Sequence, residues 1–148
     1  MTFDVQSFLN AKHSGANATE FKPLPVATYT AVLTKPEIKE WSSRDSTKNG
    51  LKLTYQAAIQ DQVPGFTNPS VRGDILLDLA EGGGLAMGDT DNVKLGRLRK
   101  AIGMNDPAKP WAFSDFEGKL LKVSVTHRPD PNDATKVYNE INAVFPAA

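Results

Sequence analysis

The sequence predicts an all-β fold with one short helix: a five-stranded Greek-key barrel of the OB-fold type, with the helix between strands three and four and an N-terminal extension. Three observations carry this reading. Five runs are strand-like, Ala27–Leu33, Leu51–Ile59, Val71–Leu79, Lys119–Arg128 and Val137–Val144, and the first four alternate apolar and polar side chains with the period of two of half-buried strands. One basic segment, Asn92–Ile102, instead repeats Leu95, Leu98 and Ile102 at helical spacing. It falls between the third and fourth runs, where this barrel carries its helix.

Residues 1–22 read as the extension and 23–148 as the barrel domain. Phe3, Val5, Phe8 and Leu9 have the spacing of a short amphipathic turn of helix, suited to docking on the barrel or on a second copy of the chain. His13–Thr19 is a polar loop, and Pro23 and Pro25 hold an extended approach to the first strand. That strand sets Tyr29, Ala31 and Leu33 against Thr28 and Thr30. The apolar signal resumes at Ile38 and Trp41, as in one long strand that bends to serve both sheets, with Pro36 at an edge or bulge. Ser42–Gly50 is a turn-rich connection whose closing Asn49-Gly50 is a hairpin signal.

In the second run Leu51, Leu53, Tyr55, Ala57 and Ile59 face the core, opposite Lys52, Thr54, Gln56, Ala58 and Gln60. Gln62–Ser70 is a loop built on Pro64-Gly65 and Pro69, and Gly73 offers the third run a kink for barrel closure. Gly82-Gly83-Gly84 suggests a mobile loop, Thr90 or Asp91 a helix cap, and Gly103 the helix stop. Trp111, Phe113 and Phe116 plug the barrel bottom before Gly118 leads into the fourth run. There Leu121, Val123 and Val125 face inward, and Arg128–Lys136 connects to the last strand.

The 148-residue chain fits one domain able to bury about two-thirds of its unfolded surface. With no cysteine, thiolate metal sites, a cysteine nucleophile and disulfides are excluded, and a reducing compartment fits. Neither a secretory signal nor a bilayer-length apolar run is visible, so a cytoplasmic protein without membrane contact is expected. Net charge is zero, but its distribution is uneven. Residues 61–91 hold six acidic side chains against Arg72 alone, while residues 92–128 hold eight basic against three acidic, a balance of +5. Segregated charge presents a basic stripe even where the total cancels.

Catalytic constellations are missing. His13 and His127 have no near-spaced ligand partners, so packing or surface roles are expected. The Gly82–Gly84 run lacks the Lys-Ser/Thr of a phosphate-cradling loop. Asp74 and Asp78 share a strand face and read as solvated carboxylates rather than a cation site. A protein without enzymatic activity, cofactor or metal is expected.

Binding of a single nucleic-acid strand needs cations for phosphates and aromatic rings for bases. The OB groove lies over strands two and three, flanked by the first-to-second and fourth-to-fifth connections. Those connections carry Arg44 and Lys48, and Arg128 and Lys136; the strands add Lys52, Arg72 and Lys122 facing outward. Trp41 is either a stacking platform or a core residue, and Tyr138 is equally open. Phe66, on a Pro-Gly loop without an evident core partner, reads as a stacker or lid, whereas the parity of Tyr55 assigns it to the core. Arg97, Arg99 and Lys100 rank below these, because the helix of this fold caps the barrel away from the groove.

Several segments resemble phage single-stranded-DNA-binding proteins: Leu24-Pro25-Val26-Ala27-Thr28-Tyr29-Thr30-Ala31, Leu98-Arg99-Lys100-Ala101-Ile102-Gly103, Phe116-Glu117-Gly118-Lys119 and Tyr138-Asn139-Glu140-Ile141. The resemblance spans about residues 22–145, and its motifs are structural and loose. It implies an OB fold, sequence-tolerant coating of single-stranded DNA in phage replication and recombination, protein partners from those processes, and residence in the host cytoplasm. Many such proteins recruit partners through an acidic tail; this sequence ends Phe145-Pro146-Ala147-Ala148, so that mode is not implied. The rival expectation is a protein-interaction or virion structural module on a similar barrel, forming homo-oligomers through the N-terminal extension. The zero net charge favours it.

Overall fold

The structure, a computed structural model, describes residues 2–148. In chain order its elements are α1 (Val5–Asn10), β1 (Ala27–Leu33), β2 (Glu37–Ser42), β3 (Asn49–Ile59), β4 (Ser70–Leu76), α2 (Val93–Ala101), a 3-10 turn (Phe113–Phe116), β5 (Leu120–Asp130) and β6 (Asp133–Pro146). The six strands form one open antiparallel sheet in the order β2-β3-β1-β5-β6, with β4 on the other edge of β3.

The expected long first strand is β1 and β2 together, divided near Pro36. Ala31–Leu33 pair with Ile59–Ala57, and Glu37–Ser42 then pair with Thr54–Asn49 along the same edge of β3. Five expected runs thus become six strands. β4 ends at Leu76, short of the expected Leu79: Leu77 still donates to the Leu51 carbonyl at 3.0 Å, and Asp78 then turns away to Asn92. The Arg128–Lys136 connection is largely strand, because the β5–β6 ladder runs out to Asp130 opposite Asp133.

Asn49-Gly50 is not the hairpin turn. Both residues lie in the β3 ladder, opposite Ser42 and Trp41. The turn sits earlier, where the Asp45 carboxylate accepts from the hydroxyls of Ser43 (2.6 Å) and Thr47 (2.7 Å). Gly50 is small for a packing reason instead: a Cβ there would come within 3.0 Å of the Trp41 indole nitrogen.

Closure of the expected barrel is likewise absent, since no ladder joins β4 to β6. The two strands face each other across a cleft of about 460 Å³, lined between them by Tyr55, Ile75 and Leu98. A register shift between Ser124 and Val125 leaves Asn142 as the extra residue of β6. Such a bulge bends its strand, here along the stretch that borders the cleft.

The core lies on the inward face of this curled sheet. Leu33, Leu53, Tyr55, Ala57, Val71, Ile75, Leu121, Val123 and Val125 are buried, as their alternation predicts. Burying each large aliphatic side chain contributes about 1.5–3 kcal/mol. From α2, Leu95, Leu98 and the following Ile102 close one end, with Phe116 stacked on Trp111 at 5.8 Å between centroids. Gly103, at φ +74°, ends the helix. Its start uses neither Thr90 nor Asp91: Asn92 occupies the cap position, and its amide binds the backbone of Asp78 and Ala86. The three-glycine segment is a hydrogen-bonded turn, closed by the bridge between Leu79 and Leu85.

Residue 24 pins the chain to the sheet. The buried Leu24 donates its N–H to Asn139 at 2.8 Å, and its carbonyl lies 2.6 Å from His127 Nε2. His127 therefore has a structural partner. Farther out, α1 forms as expected with Asp4 as its cap, but it does not dock on the sheet: Phe3, Val5, Phe8 and Leu9 are all more than 70% exposed.

Gly73 makes room for its cross-strand partner Tyr55, whose ring occupies the space a Cβ would take. Replacing Gly73 with Ala is expected to destabilise the fold by about 1–3 kcal/mol, the range for overpacking a core. Urea unfolding measures this; an unchanged midpoint would remove Tyr55 from its place over Gly73.

Candidate functional site

Cross-strand register builds a three-strand outer face from β2, β3 and β4. Trp41 lies opposite Gly50; Lys39, Lys52 and Leu76 form the next row; Glu37, Thr54 and Asp74 follow, then Gln56 with Arg72. All share one face because side-chain direction alternates along each strand. Leu76 is 58% exposed on this face, an apolar position beside cations. Of the sequence-derived candidates, Trp41, Lys52 and Arg72 share this face, Lys52 one row and Arg72 three rows from Trp41.

Trp41 is half-buried and borders two open hollows. One, of about 700 Å³, is shared with Leu77, Asp78, Leu79, Met87 and Asp91; the other, of about 520 Å³, with Glu40, Ser42 and Leu51. Among the described residues its Nε1 is the one buried side-chain polar atom without a hydrogen-bond partner. An orphaned buried donor costs roughly 1–3 kcal/mol. The indole is thus neither a satisfied core residue nor a free surface ring.

Charge on the face is partly compensated. Arg72 lies 3.1 Å from Asp74, and Lys39 lies 3.3 Å from Glu37. Among the described residues these are the only ion pairs, so Lys52, Arg44, Lys48, Arg128 and Lys136 carry unpaired charge. Partial burial opposes ionisation of Asp74, but hydrogen bonds from Thr54 and Arg72 outweigh it and hold the carboxyl below its ordinary value. Asp74 is therefore a partner of Arg72, and Asp78 is engaged by the Asn92 N–H at 2.7 Å. Tyr55 beneath is buried, and desolvation, with Asp74 nearby, pushes its hydroxyl up to about 12.

Arg44 and Lys48 stand exposed on the β2–β3 turn. Arg128 and Tyr138 are cross-strand partners near the end of the β5–β6 hairpin, and Lys136 lies beyond them on β6. Tyr138 is an exposed ring with fixed orientation: its hydroxyl donates to Asp130 at 2.9 Å, and Phe21 packs at 5.9 Å between centroids. That hydrogen bond raises the Tyr138 pKa, while the Asn132 N–H and the same hydroxyl lower that of Asp130.

Two candidates fall elsewhere. Lys122 pairs across from Thr30 and Phe145, with β1 between its strand and β3. Phe66 has the partners it lacked on sequence grounds: it packs against the core, with the Lys22 ammonium 5.1 Å from the ring centroid. Arg99 is also structural, 7% exposed, 4.0 Å over Trp111 and donating from Nε to the Met104 carbonyl. Lys39 and Leu76 were missed; the parity of Lys39 with Trp41 was the available signal. More consequentially, Lys94 and Arg97 of α2 line the β4–β6 cleft with Arg72 and Arg128.

Among the described residues, no group of three or more histidine, aspartate or glutamate side chains is placed to hold a metal ion, and no helix is long and apolar enough to cross a membrane. No protein-family model matches this chain, and no curated protein matches it in sequence.

The turn that carries Arg44 and Lys48 is held by one ionised carboxylate. Hydrogen bonds from Ser43 and Thr47 draw the Asp45 pKa down to about 2 from 3.8. Because the folded value is depressed, this contribution is present above the ordinary value and is lost as pH falls through about 2. Carboxyl NMR titration should place the Asp45 midpoint near 2, and Ser43→Ala should move it upward. A midpoint at the ordinary value in the unaltered protein would contradict the turn geometry.

Proposed function

We propose that this chain is a non-enzymatic OB-type protein that binds single-stranded DNA with little sequence preference, in replication and recombination of the phage kind. The observation that carries the reading is the outer face of β2, β3 and β4, which sets Trp41 one row from Lys52 and Leu76, with Arg72 on the same face three rows from Trp41. Cations there would neutralise phosphates, and the indole and Leu76 would receive base faces, contacts that every base can make. Arg44 and Lys48 at one side, and Arg128, Lys136 and Tyr138 on the β5–β6 hairpin, extend the interface. Counting β1 and β2 as one bent strand, the strand order also suits an OB barrel whose β4–β6 seam is open.

A second reading is favoured by one observation. The undocked α1, with four exposed apolar side chains, suits a structural module that joins copies of the chain through this arm.

Fluorescence titration with an oligo-dT at two salt concentrations separates the readings. The DNA reading expects binding at low salt that weakens steeply as salt rises, because phosphate contacts release counterions. It also expects Trp41→Ala to lower affinity by roughly 1–3 kcal/mol, the usual value of base stacking on an aromatic ring. No binding at low salt would refute it and leave the structural module.

A further inference from the structure

The seam between β4 and β6 concentrates unpaired positive charge. Arg72 from β4, Lys94 and Arg97 from α2, and Arg128 from β5 line one cleft of about 460 Å³, with Asp74 and Glu140 as its carboxylates. Asp74 is already engaged by Arg72 at 3.1 Å. Among the described residues Lys94, Arg97 and Arg128 have no carboxylate within ion-pair distance, and all three are exposed. Three like charges brought together from two elements repel one another, with no structural bond in return.

The same cleft has an apolar side, formed by Tyr55, Ile75, Leu98, Ile141 and Val144. Its walls are strand edges: β4 is paired on its β3 side only, and β6 on its β5 side only. Cations, strand edges and an apolar wall together suit a ligand that is anionic along its backbone and flat and apolar in its side groups. Arg72 belongs both to this cleft and to the outer face, where it lies opposite Gln56.

We infer that the seam is a second subsite for the same DNA strand. The strand leaves the outer face of β3 and β4 at Arg72 and crosses into the cleft, where Lys94, Arg97 and Arg128 take its phosphates. This rests on the single-stranded-DNA reading, and it makes α2 part of the binding surface rather than only the end of the core.

The test is oligo-dT titration across a salt series with the triple variant Lys94→Gln/Arg97→Gln/Arg128→Gln. Wild type, Trp41→Ala and the exposed loop control Lys109→Gln are measured alongside. The triple variant should bind at least ten-fold more weakly at low salt. Its slope of log affinity against log salt should be shallower by about 2, since each phosphate contact on a single strand contributes about 0.7. Lys109→Gln should match wild type, and Trp41→Ala should lose affinity while keeping the wild-type slope. Thermal melting checks that the triple variant is folded; if it is not, the single charge reversal Arg97→Glu, on an exposed helix position, is used and should weaken binding in the same direction. Wild-type affinity and slope in a folded seam variant would overturn the subsite while leaving the outer face intact. A seam that binds oligo-glutamate, losing it in the variant with DNA binding unchanged, would make it a seat for an acidic peptide and also overturn the inference. Failure of wild type to bind oligo-dT at all would remove the DNA reading and this subsite together.

Discussion

The structure depends on the double pairing of β3. One edge of this strand holds β1 and then β2, and the other holds β4 over nearly the same residues. Pro36, which cannot donate to a ladder, falls where the first partner gives way to the second. β1 continues onto β5 and so carries the sheet around the core, while β2 stays with β3 alone. That division leaves β2, β3 and β4 as a three-strand platform with an exposed outer face. On the inner side of that platform the Tyr55 ring fills the space above Gly73, so core packing bears on β4 one residue from Arg72.

The platform and the seam differ in charge. Around Trp41 the hollows are bordered by Asp78, Asp91 and Glu40, so this end favours the uncharged parts of a ligand over phosphate. Unpaired cations flank that end at Arg44, Lys48 and Lys52, and a second group, Lys94, Arg97 and Arg128, gathers at the seam. A chain with zero net charge can therefore hold a polyanion if the strand meets its ring between these two groups of cations. Local field, rather than total charge, decides such association.

Much of the fold was legible because alternation is a local property. Leu53, Tyr55, Ala57 and Ile59, and Leu121, Val123 and Val125, follow a period of two and are buried accordingly. What sequence could not give depends on distant partners. Asn49-Gly50 has the chemistry of a hairpin turn, yet Trp41 across the ladder needs the space above Gly50, and Asp45 organises the turn instead. Asn92 was passed over as a cap because its partners, Asp78 and Ala86, lie outside the helix. Of the site, parity identified Lys52 and Arg72 as outward-facing. Arg97 ranks low and Lys94 does not stand out on sequence grounds, because their place beside the cleft depends on an unpaired β4–β6 edge, which no local pattern encodes.

The proposed DNA binding turns on which surface a single strand meets. Backbone and indole NMR shifts, recorded as oligo-dT is added to the labelled protein, read that location residue by residue. The largest changes are expected at the Trp41 indole N–H, Lys52, Arg72 and Leu76, with little change at Thr28, Thr30 and Ser124 on the outward side of β1 and β5. Changes confined to those last residues or to α1, with the platform silent, would contradict that expectation.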